Sequence, residues 1–441
     1  MKNCMKFVRG AILRRLAMLA IMMQAFLVAS AYDFEVDGIY YNVVSLPDLT
    51  CEVTYGDNEY VGDIVIPSTV EYNSSKFTVV NIGAEAFKEC ESLTSVVISK
   101  GVSTIGKSAF ERCYGLTSVV IPEGVSTIGK SAFKDCVDLT SVEFPESLTS
   151  IGEEAFSYCR CLSSVEFPAS LTKIGEYAFY NCWSVKSLEF PASLTSIEEN
   201  AFQGCNGLSY VKFEEGTQQV NLDDYVFVFC EELEQVILPI LCKMGKNFYS
   251  EKNGVHDCFF YSKLKYLKVG SLGCNCSNHI LFSLGTIETM ELDNAVWGNC
   301  SFVPCKVENL IFSEKYSAEK PDLSGFNANY SLEFDFSELK KLVSKTLEPP
   351  LIPGEVPAKI LMDAEVEVPI QALEKYRQAP VWKDFWNLKG VEGLVSIEET
   401  EMIAAEEVGR YDLTGKAVSE DYRGIVIVRY SDGTTSKTLQ R

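Results

Sequence analysis

IGKSAFERCYGLTSVVIPEGVSTIGKSAF, residues 105–133, ends on the same six letters with which it opens. The same frame recurs at a spacing of 23. Its isoleucines are Ile82, Ile105, Ile128, Ile151, Ile174 and Ile197, and five residues beyond each stand Phe87, Phe110, Phe133, Phe156, Phe179 and Phe202. Three further on come Cys90, Cys113, Cys136, Cys159, Cys182 and Cys205. A seventh copy, Leu222, Phe227 and Cys230, follows a two-residue insertion. A fixed period in the twenties with an aliphatic pattern specifies stacked coils, each too small to bury its apolar face alone.

One repeat shows how a coil is built. In CYGLTSVVIPEGVSTIGKSAFKDC (113–136), Leu116, Val119 and Ile121 form a strand whose alternation turns Val119 and Ile121 inward and leaves Ser118 and Val120 outside. Pro122 ends it, having no amide for a strand ladder, and Gly124 assists the turn. Val125 and Ile128 make a second short apolar pair. Gly129 then leads into Lys130-Ser131-Ala132-Phe133, which is expected as a single helical turn with Phe133 in the core. The fold class is therefore an α/β solenoid: a right-handed coil stack with a strand-lined face, short helical turns outside and a small β-rich tail.

The repeats resemble the BspA-like leucine-rich repeat family, found on surface proteins of Bacteroidetes and of some mucosal protists. The likeness rests on residues 105–133 and on IGEEAFSYCRCLSSVEFPASLTKIGEYAF (151–179) and IGEYAFYNCWSVKSLEFPASLTSIEENAF (174–202). It extends from about Tyr32 to Pro239, because YDFEVDGIYYNVV is similar to the family's amino-terminal lead-in. The chain departs from the general leucine-rich consensus in placing Cys before the strand and in lacking an asparagine ladder. The resemblance implies adhesion to host matrix proteins, mucosal glycoproteins or other cells.

The ends have their own composition. Lys2, Lys6, Arg9, Arg14 and Arg15, the apolar run Leu16 to Val28 and then Ala29-Ser30-Ala31 have the three-part layout of a secretory signal, with cleavage expected before Tyr32. That run falls short of the roughly 20 apolar residues needed to span a bilayer. Residues 1–31 are thus expected as a signal peptide, 32–81 as a lead-in, 82–240 as regular repeats and 241–345 as degenerate ones. In the last group LKYLKV (264–269), ETMELD (288–293) and VENLIF (307–312) keep strand alternation, with loops expected to carry Cys274, Cys276, Cys300 and Cys305. Residues 346–390 are expected to close the stack, with Leu373, Tyr376, Trp382 and Phe385 on the apolar side of helical turns. Residues 391–441 form a β tail in which Ser431-Asp432-Gly433 signals a hairpin. Tyr411-Asp412-Leu413-Thr414-Gly415 and Gly424 to Val428 resemble the end of a type IX secretion sorting domain.

The formal charge is −22 and falls to about −27 once the five basic residues of the leader are removed. Such a charge repels phosphate backbones and anionic lipid, so neither nucleic acid nor membrane is expected as a partner. Catalytic chemistry is poorly provided for. His256 and His279 sit in no triad or metal motif, and no glycine-rich phosphate loop occurs. Zinc would have to gather Cys274, Cys276, His279, Cys300 and Cys305 without paired Cys-x-x-Cys spacing. No cofactor, no metal and no enzymatic activity are expected. The cysteine column reads as buried thiols, since each Cys accompanies the same Phe and Leu, although columns one rung apart also lie within bridging distance. Cys161 stands apart, on the approach to a strand.

The candidate binding surface is the outward strand face: Ser118 and Val120, Ser141 and Glu143, Ser164 and Glu166, Ser187 and Glu189, Tyr210 and Lys212, preceded by Ser95 and Val97. Its glutamates form either a solvated face or a stripe recognising a cationic or hydroxyl-rich partner, with calcium and carboxylate-pair hydrolysis as lesser options. The reading is a secreted or cell-surface binding protein for extracellular proteins or glycoproteins. The competing readings are a glycan-capturing component, which requires an exposed aromatic platform that the strict copies do not show, and a purely architectural surface protein.

Overall fold

The computed structural model describes residues 31–216, 219–239, 241–244, 264–280, 286–294, 297–301, 306–317, 336–352, 355–395, 407–411, 424–430 and 435–440. The expected signal peptide, His256, Cys305 and the Ser431-Asp432-Gly433 turn lie outside them. Of the side chains of 241–244, 271–280, 297–301 and 396–441 nothing is described.

Each coil contributes to three parallel ladders. The first carries the outward face. It comprises a five-stranded sheet from Gly62–Ile66 to Ser164–Val165, then a nine-stranded sheet from Ser187–Phe190 to Leu388–Val391. The second is a fourteen-stranded sheet, built in the regular coils from two-residue strands such as Thr127–Ile128 and Ser150–Ile151, which pair in parallel register. The third runs through the corners, where the amides of Phe110, Phe133, Phe156 and Phe179 each donate to the alanine carbonyl one coil on at 2.7 Å. Pairing each strand with its copy in the next coil satisfies the backbone groups of these ladders wherever they run unbroken.

The corner is where expectation and structure differ. Lys130 to Phe133 is not helical. Ala132 and Lys134 donate to residues three back, and Ser131 (φ 56°) and Asp135 (φ 59°) are left-handed. Ser131 and Asp135 point their amides at the next coil, to Glu153 and Ser157 at 2.7 and 2.8 Å. A helical turn would direct those amides inward along its own axis and forfeit the inter-coil bonds. Gly129 marks a close backbone approach, since a Cβ there would stand 2.7 Å from the Gly106 carbonyl carbon.

Inside, the phenylalanines stack. Ring centroids lie 4.8 Å apart for Phe87 and Phe110, 5.0 Å for Phe110 and Phe133, and 5.1 Å for Phe133 and Phe156, all within 8° of parallel. That spacing is the rung of a parallel β-ladder, about 4.8 Å. The cysteines have a second task besides filling space. Sγ of Cys113, Cys136, Cys159 and Cys182 donates to the carbonyl of Phe87, Phe110, Phe133 and Phe156 respectively, at 3.0 to 3.2 Å. These are free thiols. Each bonds the coil before it, and burial is the leading cause that raises the pKa of Cys205 to about 12.

Both ends of the stack are closed by aromatic residues. Antiparallel strands Phe34–Val36, Ile39–Ser45 and Thr50–Thr54 join the fourteen-stranded sheet and bury Phe34, Tyr41 and Tyr60. At the other end strand Glu365–Pro369 leads into short helical turns at Ile370–Ala372, Leu373–Tyr376 and Trp382–Asp384. Tyr376, Trp382 and Phe385 are buried there. Trp382 Nε1 donates to the Pro350 carbonyl at 2.7 Å, which satisfies its one polar group.

The degenerate region holds strands Tyr266–Val269, Thr286–Asn294 and Lys306–Ser317 in the outward-face sheet, as the alternation of those segments predicts. Cys274, Cys276 and Cys300 were expected in loops. They lie instead in strands Ser271–Ile280 and Trp297–Ser301, because the second ladder continues here with longer strands. The tail, Val391–Arg441, is a separate compact unit with strands Glu407–Tyr411, Gly424–Tyr430 and Thr435–Gln440, paired antiparallel. No helix among the described residues is long and apolar enough to cross a membrane.

Candidate binding face

The alternation places the ten expected face residues where they were read. Ser118, Val120, Ser141, Glu143, Ser164, Glu166, Ser187 and Glu189 are exposed, and Tyr210 and Lys212 half-buried. Between them Val119, Val142, Val165, Leu188 and Val211 are buried. Parallel register aligns them in two columns. Ser95, Ser118, Ser141 and Ser164 stand side by side, as do Val65, Val97, Val120 and Glu143.

The face changes character along the stack. Val65, Val97 and Val120 form an apolar row, 64%, 50% and 48% exposed. Beside it Asp63 accepts hydrogen bonds from Thr94 Oγ1 at 2.7 Å and Ser95 Oγ at 2.6 Å, which hold its carboxyl below the ordinary range. The acidic stripe follows. In the later coils the charges cancel locally. Lys268 pairs with Glu291 and Asp293 at 3.3 and 3.1 Å, Lys341 with Glu367 at 2.9 Å, and Lys389 with Glu365 and Glu367. Lys212 reaches back to Glu189 at 3.4 Å. Glu143 and Glu166 have no ion-pair partner among the described residues.

The ladder of the outward face is open between the strands Ser164–Val165 and Ser187–Phe190, which belong to different sheets. The gap coincides with successive glutamates at one repeat position, and like charges a rung apart repel. A depression of about 430 Å³ occupies it, lined by Glu166, Glu189 and Glu214 above the half-buried ring of Phe167. Phe167 packs against Phe190 at 5.3 Å. Glu214 was not anticipated. It stands 23 residues after Pro191, where the earlier copies have Pro122, Pro145 and Pro168, so the break in a repeated proline was the available signal.

The copies do carry exposed aromatic residues at the corners leading into the strands, Tyr114 and Trp183, 37% and 44% exposed. Half-buried Tyr158 and Tyr177 each meet Tyr180 edge-on. Among the described residues no group of three or more His, Cys, Asp or Glu side chains is arranged to hold a metal ion.

No curated protein matches the chain. Solved structures that resemble it include the leucine-rich repeat protein of T. pallidum, at 29% identity and a TM-score of 0.41, covering 46% of this chain and 90% of that one. A leucine-rich repeat protein from Bacteroides ovatus covers 82% of this chain and 100% of its own, at 22% identity and a TM-score of 0.39. A leucine rich cell surface protein from Faecalibacterium prausnitzii covers 81% and 94%, at 17% identity and a TM-score of 0.41. The BspA type leucine rich repeat region, in six copies, matches residues 63–186, 126–256 and 172–303. These overlapping matches span more than half of the sequence, and the chain therefore belongs to the BspA type leucine rich repeat family.

Proposed function

We propose that this protein is an exported, non-enzymatic scaffold of the cell surface that binds extracellular proteins or glycoproteins through its outward strand face, as an adhesin does. The observation that carries the reading is the distribution of charge on that face. Carboxylates of the later coils are neutralised by their own lysines, whereas Glu143 and Glu166 have no ion-pair partner among the described residues, Glu166 lining an open depression and Glu143 adjoining the exposed valine row. Apolar contact flanked by uncompensated charge suits a protein partner with basic residues, the charge setting orientation and encounter rate more than affinity. Membership of a repeat family whose members offer long, rigid, solvent-facing sheets supports a binding role. The leader-like amino terminus supports export, and the tail is read as a sorting element on its sequence resemblance alone.

The test is a binding screen of the protein against arrayed matrix proteins, mucins and glycans beside a variant with Glu143, Glu166 and Glu189 changed to Ser. Saturable binding to a protein that the variant loses supports the reading. Binding that the variant retains in full excludes the acidic stripe.

A further inference from the structure

The main-chain groups of the outward-face sheet point in a fixed order along the stack. Residues with inward side chains turn their amides and carbonyls toward the coil that follows: Ile121 donates to the Glu143 carbonyl at 3.3 Å, and the Ile66 carbonyl accepts from the Ser99 amide at 3.2 Å. Residues with outward side chains, which alternate with them, turn theirs toward the coil before. Strand Gly62–Ile66 is the first of this sheet and pairs on one side only, with Leu93–Ile98. The amides and carbonyls of Asp63 and Val65 therefore face a side on which no strand lies among the described residues.

Two further observations mark this edge as open. The lead-in strands Phe34–Val36, Ile39–Ser45 and Thr50–Thr54 extend only the fourteen-stranded sheet, so the ladder that carries the outward face starts without a cap. Accordingly Ile64 is only half-buried, whereas Val96, Val119 and Val142, which continue its column in the next three coils, are buried. Free strand edges are usually blunted by lysine or proline. Gly62–Ile66 carries neither, and Val61 and Val65 are 60% and 64% exposed. Its one charge is the exposed Asp63, fixed by the Thr94 and Ser95 hydroxyls at 2.7 and 2.6 Å and without an ion-pair partner among the described residues.

We infer a second binding site, apart from the acidic stripe: strand Gly62–Ile66 takes up an extended segment of another protein as an added strand, one that alternates apolar residues with lysine or arginine. Free amides and carbonyls at Asp63 and Val65 suit a polypeptide backbone, which offers the complementary groups at the same spacing. Such pairing draws its affinity from main-chain hydrogen bonds and its specificity from alternate side chains. One side of the guest strand lies against Ile64 and calls for apolar residues. The other lies beside Asp63 and Val65, where a lysine covers the valine with its stem and sets its ammonium against the carboxylate. The same carboxylate, on a chain of charge −22, disfavours a second copy of this chain as the guest, because the matching edge is equally acidic.

The experiment is fluorescence anisotropy of the full chain with a labelled alternating Val-Lys decapeptide, beside its Val-Glu counterpart and a fully N-methylated Val-Lys form. The Val-Lys peptide binds saturably, the Val-Glu peptide about tenfold more weakly, as a swap of opposite for like charge across a strand pair implies, and the N-methylated form does not bind. Hydrogen exchange resolved to single amides shows Asp63 and Val65 exchanging fast in the free protein and slowly with the peptide bound, a change that charge attraction alone does not produce. Val65→Pro removes an outward amide and no bond to Leu93–Ile98, so it abolishes binding without lowering the melting temperature. Should that variant fail to fold, the N-methylated peptide decides. The variant with Glu143, Glu166 and Glu189 changed to Ser keeps this edge and binds the peptide as the native protein does, which separates this site from recognition through the stripe. Absence of Val-Lys binding, binding that N-methylation leaves undiminished, or loss of binding in the triple variant overturns the inference. So does a dimer of the unliganded chain in which the Asp63 and Val65 amides are already protected, since the edge then belongs to a second copy.

Discussion

Replacing Phe133 by Ala removes an interior ring of the phenylalanine stack. Its ring is wholly buried and lies between Phe110 and Phe156 at 5.0 and 5.1 Å, within 5° of parallel to each. The loss of a buried phenyl with the cavity it leaves costs about 3–5 kcal/mol. The upper part of that range is expected, because two offset ring contacts of about 0.5–1.5 kcal/mol each go with it. The coil also cannot collapse to fill the void, since its backbone is tied on both sides: the Phe133 amide donates to Ala155 and the Phe110 amide to Ala132, both at 2.7 Å. Urea unfolding followed by circular dichroism should show a lower midpoint, and hydrogen exchange should show the protection of residues near 110–156 falling first, as nearest-neighbour coupling requires. An unchanged midpoint with unchanged protection at those amides would refute the assignment of the phenylalanine column to the core.

Alkylation followed by peptide mapping should label Cys161 rapidly in the native protein while Cys113, Cys136, Cys159, Cys182 and Cys205 react only on unfolding, because the first is exposed and the others are buried; equal labelling would contradict the ladder of buried donors. Burial is the leading cause that lifts the thiols of Cys51, Cys90 and Cys205 from the ordinary value of 9.0 to about 12. A raised thiol pKa favours the neutral form in the folded state, so its contribution is complete below pH 9 and is lost as pH rises from about 9 to 12. Unfolding midpoints should therefore fall in that alkaline window, and a flat profile would count against buried free thiols. Changing Glu143, Glu166 and Glu189 together to Ser should leave the melting temperature within a degree or two, as is usual for exposed positions away from caps and networks; a large drop would mean that the inward and outward faces are reversed.

Much of this was legible in the repeat. A 23-residue period with Phe and Cys at fixed offsets has one economical solution, and the alternation Val119, Val120, Ile121 assigned the two faces correctly. What escaped was set by contacts between coils. The second ladder uses strands of two residues, too short to give a periodicity of their own. The corner places left-handed backbone at Ser131, Glu154 and Tyr177, residues with none of the Gly or Asn signature of that region, because inter-coil hydrogen bonds impose it. The role of Cys as a donor to the phenylalanine carbonyl one coil back is invisible without the stack. On the candidate face the outward positions were read from alternation, but the depression at Phe167 and Glu214 arises from an interruption of the ladder.

The most direct test of the account measures binding of matrix proteins and mucins to the native protein and to the Glu143, Glu166 and Glu189 triple-Ser variant, with folding of both verified. The account predicts a protein ligand that binds saturably and is lost or strongly weakened in the variant. Failure of every protein ligand to bind, or equal binding by both forms, would contradict recognition through the acidic strand face.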